Sequence, residues 1–211
     1  MKPRSTGFTL VELMIVIAIL GLLAAVLTVA VTRHMKKASA DMDAINLGQL
    51  HSAMQSAAND ANHSRKLNAA DSKDKSGRAF WYAVFKGKIL DESMLTKLVS
   101  MGGPDDAVAK HEFASMTELP EQSCSLTAPR MGEFKQLLGG RERVVLFTFN
   151  SRNWHNYESL DRGTLTAWSD GEVAEYWPLE RINEVAQVSP DEWNDPKQMF
   201  GTKKPFHKTY E

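Results

Sequence analysis

The sequence predicts an α+β fold in which one long N-terminal helix packs against a small antiparallel sheet. An apolar run followed by an amphipathic pattern indicates a helix over residues 8–62, and a polar stretch over residues 63–77 ends it. A β-rich segment and a hairpin with an Asp-Gly turn then indicate a sheet within residues 78–211. The first part is membrane-spanning in character, and the last part has the size of one compact domain.

The apolar run covers residues 8–31 and contains a single charge, Glu12. As a helix that rises 1.5 Å per residue, these 24 residues are about 36 Å long, which is enough to cross the hydrocarbon core of a bilayer. A carboxylate near the start of such a helix is costly in lipid unless a positive group pairs with it. We therefore expect Glu12 to have a partner.

Residues 32–62 carry the pattern of an amphipathic helix, whose apolar positions recur every three or four residues. A first set of such positions is Met35, Ala38, Met42 and Ile45, and a second set is Leu47, Leu50, Met54, Ala57 and Ala61. The phase shifts between the two sets beside Gly48, so either the stripe is broad or the helix bends there. We expect this stripe to carry a globular domain on one side of the helix.

Two further helices are predicted after the polar stretch. The apolar segment Ala79–Phe85 is too short for periodicity to distinguish a helix from a strand, and we favour a helix that ends near Gly87. The segment Asp91–Val99 has acidic residues in its first turn and is followed by Gly102-Gly103-Pro104, which predicts a second short helix.

The sheet is predicted from four segments. Residues 125–128 could begin it, and Arg143–Phe149 is the clearest strand because it is rich in β-branched and aromatic residues. The segments Thr164–Trp168 and Glu172–Trp177 flank Ser169-Asp170-Gly171, which is a strong hairpin signal.

The first residues resemble a known processing motif. Lys2 and Arg4 precede a small residue, Gly7, and the run Gly7-Phe8-Thr9-Leu10-Val11-Glu12 opens the apolar segment. An ordinary secretory signal has a shorter apolar stretch, and its small-residue cleavage site follows that stretch. The order found here closely resembles the prepilin motif of type IV pilins and type II secretion pseudopilins.

The resemblance implies a maturation step and a role for Glu12. A prepilin peptidase would cut after Gly7 and methylate the new amine of Phe8, and the retained helix would become the core of a filament. In stacked, staggered subunits the Glu12 carboxylate of one copy can meet the Phe8 amine of its neighbour. Loss of either charge would leave the other unpaired in a low-dielectric core.

The resemblance also implies the location of each segment. Lys2, Arg4 and the chain amine on one flank match Arg33, Lys36 and Lys37 on the other, so charge alone does not orient the span. Members of this family keep the leader, here residues 1–7, in the cytoplasm. A single pass of the inner membrane would then place residues 78–211 in the periplasm, and the resemblance implies an inner-membrane assembly platform as a further partner of the chain.

Composition limits the partners and the cofactors. Without the leader, 23 Lys and Arg (25 less two) face 26 Asp and Glu, and such a balance gives no electrostatic footprint for nucleic acid. Cys124 is the only cysteine, so no intrachain disulfide can form.

A bound calcium ion is a minority hypothesis for the C-terminal sheet. The resemblance suggests it, since core pseudopilins hold calcium in a loop of that sheet. The candidate ligands are Asp161, Asp170 and Glu172, which with backbone carbonyls could supply the oxygens that calcium needs. The alternative for Asp170-Gly171 is a plain turn, and we expect no other cofactor.

No pattern in the sequence indicates an enzyme. The six histidines have no metalloprotease spacing, and Ser151, His155 and Asp161 lie near one another without any sign of an activated nucleophile.

A group of aromatic residues has two possible roles, packing in the core or a platform for a ligand. Its members are Trp154, Tyr157, Trp168, Tyr176, Trp177 and Trp193.

These observations lead to a pilin-like structural subunit that is processed by prepilin peptidase and assembled into a filament. We expect a type II secretion pseudopilus, because the chain lacks a disulfide and a basic surface. The alternatives are a type IV pilus subunit for adhesion, motility or DNA uptake, and a membrane-anchored ligand-binding module that uses the same leader.

Overall fold

The computed structural model describes residues 9–154 and 163–178, together with residues 181 and 210. Within them the chain forms five helices, three short 3₁₀ segments and three strands. The helices are α1 (Leu10–Asn59), α2 (Ala61–Leu67), α3 (Gly77–Lys86), α4 (Lys110–Phe113) and α5 (Phe134–Leu138), and the 3₁₀ segments are Glu92–Leu98, Glu121–Ser123 and Ser151–Asn153. The strands β1 (Val145–Thr148), β2 (Gly163–Trp168) and β3 (Val173–Pro178) form one antiparallel sheet in that order. A long helix on a small sheet confirms the predicted α+β, pilin-like class.

The long helix ends three residues before the predicted boundary. It stops at Asn59, where Asp60 takes an extended conformation with φ −79° and ψ 131°. The Asp60 carboxylate then accepts the backbone N–H groups of Asn62 and His63, which starts α2. The predicted loop from residue 63 is therefore wrong for residues 63–67, because a capping aspartate restarts the helix before the loop begins.

Burial along α1 corrects the predicted apolar stripe. Leu47, Leu50, Met54 and Ala57 of the second set are buried in the core, and Ala61 lies outside it, in α2. The first set is exposed, with exposed fractions of 65% for Met35 and 52% for Ile45. Beside the exposed Met42 and Ile45, α1 buries Asp43 and Asn46, because the domain packs on the other side of the helix.

An aromatic cluster forms the centre of the core. Phe147 of β1 stacks on Phe134 of α5 with ring centroids 5.6 Å apart, and it lies 4.8 Å from the Trp81 ring of α3. Phe80 contacts all three of these rings. The helix predicted over 79–85 is present as α3, and its C-cap is Gly87 as expected.

The hairpin predicted around Asp170-Gly171 is present. Its turn has Gly171 at φ +93°, a conformation that glycine adopts without strain, and the Trp168 N–H donates to the Glu172 carbonyl at 2.8 Å. Every residue of β2 is buried, which places this strand between covered faces.

Two predicted segments take a different form. Residues 125–128 are not a strand of the sheet, since they make only isolated bridges, from Leu126 to Phe149 and from Ala128 to Tyr210. The helix predicted at 91–99 is a 3₁₀ segment, Glu92–Leu98, in which the Asp91 carboxylate accepts the Ser93 N–H.

Candidate functional site

The start of α1 is a reciprocal cap between Thr9 and Glu12. The Glu12 carboxylate accepts the Thr9 N–H and the Thr9 hydroxyl, both at 2.8 Å, and the Glu12 N–H donates to the Thr9 hydroxyl oxygen at 3.2 Å. Such a capping box satisfies donors that every helix start leaves without an intrahelical partner. The carboxylate is thereby held against the residue that follows Phe8. Gly7 and Phe8 themselves lie outside the described residues.

The apolar part of α1 is exposed throughout. Among the described residues, α1 is the one helix that is long enough and apolar enough to cross a membrane. None of its most apolar 18-residue stretch is buried. The hydroxyls of Thr28 and Thr32 donate to the carbonyls of Ala24 and Thr28, at 2.8 Å each. Polar groups that are satisfied within the helix suit an apolar surrounding.

A buried carboxylate attaches the globular domain to α1. Asp43 is fully buried and accepts the Ser100 hydroxyl at 2.6 Å and the Met101 N–H at 2.8 Å. Next to it, Lys97 Nζ lies 3.5 Å from Asn46 Oδ1. No sequence pattern predicts this contact, because polar residues on an amphipathic helix normally face solvent.

The sheet is joined to the same helix by a buried histidine. His51 is 1% exposed, its Nε2 lies 3.0 Å from the Trp168 carbonyl oxygen, and its ring meets Phe147 edge-on. Burial lowers the pKa of His51, and the Trp168 carbonyl opposes that effect only in part. The neutral ring donates from Nε2 to this carbonyl and so fixes the position of the hairpin on α1.

The proposed calcium ligands Asp170 and Glu172 have another partner. Arg143 donates from Nε to Asp170 at 2.7 Å and from Nη2 to Glu172, and its guanidinium stacks 3.9 Å from the Trp168 ring. Partial burial raises the pKa of Asp170, but the Glu172 N–H and Arg143 outweigh it and hold that pKa below its ordinary value.

The described residues do not assemble a calcium site. They contain no group of three or more acidic, histidine or cysteine side chains placed to hold a metal ion. A guanidinium already neutralises two of the three candidate carboxylates, and the third, Asp161, lies outside the described residues together with His155. Calcium binding stays a prediction that would require displacement of Arg143.

The tryptophans of the hairpin pack with each other. The rings of Trp168 and Trp177 are 5.6 Å apart and are 8% and 7% exposed, and Trp154 is 4% exposed. Within the described residues these rings therefore offer no open platform for a sugar or a peptide. Tyr157 and Trp193 lie outside those residues.

Comparison with known proteins finds one similarity. The family model for the prokaryotic N-terminal methylation motif matches residues 2–28, which include the predicted cleavage point and all but the last three residues of the span. No curated protein and no solved structure gives a match. Residues 2–28, which include the Thr9–Glu12 cap and most of the exposed apolar helix, are therefore similar to the prepilin-type leader segment that type IV pilins and pseudopilins share.

Proposed function

We propose that the chain is a subunit of a type II secretion pseudopilus, matured by prepilin peptidase and assembled through α1. The observation that carries the proposal is the joint presence of the methylation motif and a span that no other described residue covers. Apolar side chains in such number need lipid before assembly and other helices after it. The fold supplies a domain on one side of α1 and leaves the other side open.

Cysteine and charge support the pseudopilus over a type IV pilus. Cys124 is the only cysteine and is buried, so the domain is stabilised without a disulfide. The slightly acidic balance of the chain does not favour DNA uptake. The membrane-anchored binding module loses its main support, because the described tryptophans are buried.

Glu12 is proposed to pair with the Phe8 amine of a neighbouring subunit. Support comes from the Thr9–Glu12 capping box, which holds the carboxylate at the first described residue of the helix and leaves it exposed to other chains. The same geometry defines a competing explanation, in which Glu12 acts only as a cap of its own helix. The two explanations differ in what happens when Thr9 is changed.

The test is co-expression of the full chain with a prepilin peptidase, alongside Gly7→Ala, Glu12→Ala and Thr9→Ala. Intact mass measures cleavage and methylation, and a sheared-filament fraction measures assembly. We expect a mature species that begins at methylated Phe8, no cleavage in Gly7→Ala, and loss of filaments in Glu12→Ala. Thr9→Ala removes the cap but keeps both charges, so it should still form filaments.

Two outcomes would overturn these proposals. If Thr9→Ala loses filaments as fully as Glu12→Ala, then Glu12 serves the helix cap and not an intersubunit pair. If the cleaved chain never assembles, whatever residue 12 is, then the subunit claim fails. Deletion in the source organism separates the two systems, since a pseudopilus subunit is needed for protein secretion and a pilus subunit for surface pili.

A further inference from the structure

Three basic side chains follow the membrane-spanning part of α1 on a single face. Arg33, Lys36 and Lys37 have the i, i+3, i+4 spacing of neighbours on a helix surface, and all three are exposed. Within the described residues none of them has a hydrogen bond or an ion pair. The nearest carboxylate along the helix, Asp41, lies one turn beyond Lys37 and makes no ion pair with it. The cluster is therefore a patch of uncompensated positive charge.

The patch lies on the face of α1 that carries the domain. Two turns further along the helix, seven residues after Lys36, is the buried Asp43. Ala40 lies seven residues after Arg33, and Ala44 lies seven residues after Lys37. Both alanines pack against the core. Seven residues correspond to about 10 Å along the helix, so the patch lies between the domain and the span.

The length of the span sets the depth of the patch. A hydrocarbon core of about 30 Å takes up roughly 20 residues of helix, which places its far boundary near residue 29 when Leu10 marks the near one. Arg33 then lies about 5 Å past that boundary and Lys37 about 10 Å past it, in the range of the lipid headgroups. Long basic side chains extend toward that layer from either position.

We propose that Arg33, Lys36 and Lys37 form a binding surface for the phosphate groups of anionic phospholipids. Arginine and lysine both donate to phosphate oxygens, and basic residues next to a span are attracted to an anionic membrane surface. The surface acts on the single subunit, so the proposal does not depend on filament assembly.

The test uses the full chain reconstituted into vesicles of phosphatidylcholine. Trace spin-labelled phosphatidylglycerol or spin-labelled phosphatidylcholine reports, by electron spin resonance, the fraction of each lipid held at the protein. The proteins compared are the parent and the triple variant Arg33→Gln/Lys36→Gln/Lys37→Gln. A matched control, Lys73→Gln/Lys88→Gln/Arg141→Gln, removes three exposed charges from the domain. Lys2 and Arg4 are the same in all of them.

We expect the parent to favour phosphatidylglycerol over phosphatidylcholine by about threefold or more at low salt. The preference should fall clearly in the patch variant, toward the level that the unchanged Lys2 and Arg4 maintain. It should persist in the control, and it should shrink at 1 M salt, where the screening length is about 3 Å. Arg33→Lys keeps the charge and should keep the preference. The proposal is overturned if the patch variant retains the parental preference, or if the control loses it equally.

Discussion

The two ends of α1 show how one continuous helix serves two separate packing arrangements. From Leu10 to Thr32 every residue is exposed although nearly all are apolar, whereas Asp43, Asn46 and His51 further along are buried although all are polar. Local polarity therefore does not determine burial within the subunit. The exposed half is long and apolar enough to cross a membrane, and the buried half holds the domain.

The strongest test of this comparison replaces one leucine by alanine in each half of α1. Leu50 is fully buried and Leu20 is 59% exposed. Leu50→Ala should lower the free energy of unfolding of the domain by about 2–5 kcal/mol, because it leaves a cavity between helix and sheet. Leu20→Ala should leave it unchanged. Denaturant unfolding in detergent, followed by tryptophan fluorescence, measures both, and equal losses would mean that the span packs on the domain.

The next largest effect is expected from the buried carboxylate. Asp43→Ala removes the acceptor for the Ser100 hydroxyl and the Met101 N–H, and a buried donor without an acceptor costs about 1–3 kcal/mol. We expect a loss near 3 kcal/mol in the same unfolding measurement. Asp41→Ala, two residues away and exposed, is the matched control and should have no effect. If Asp43→Ala is as stable as the parent, then the attachment does not depend on this residue.

The parts of the fold that sequence predicts are those with a local cause. The span and the Asp170-Gly171 turn each depend on residues within a few positions of one another. Their geometry is set by the backbone and nearby side chains, so a pattern suffices to find them.

The attachment of the domain could not be predicted in this way. Asp43 and Ser100 are 57 positions apart, and His51 and Trp168 are 117 positions apart. Periodicity selected Met42 and Ile45 as buried because they are apolar, but the direction from which the domain approaches α1 decides which face is covered. Arg143 was missed for the same reason, since its partners Asp170 and Glu172 meet it only across the sheet.

A smaller effect is expected on the pH dependence of stability, and its cause is the titration of His51. Because burial lowers the pKa of His51 in the folded state, the unfolded chain takes up a proton first as the pH falls. Stability should be at its full value above the unfolded pKa, about 6.5, and decline below it toward the folded pKa. His51→Gln should flatten this decline in unfolding curves taken between pH 5 and pH 8. His111→Gln, an exposed site, tests whether the loss of any histidine would do the same.

The smallest perturbation is a measurement of thiol reactivity, which compares a buried position in the core with an exposed position on α1. Cys124 is 3% exposed, and burial raises the pKa of its thiol to about 12, so a thiolate hardly forms at neutral pH. Dithiobis(nitrobenzoate) should leave Cys124 unmodified in the folded protein in detergent and react with it fully in denaturant. Met42 is 44% exposed on the face of α1 that lies away from the domain. In Met42→Cys, one thiol should therefore react at once and the other only on unfolding. A slow reaction at position 42 in the unassembled protein would show that this face is covered within the chain, which contradicts the finding that the domain covers only the opposite face of α1.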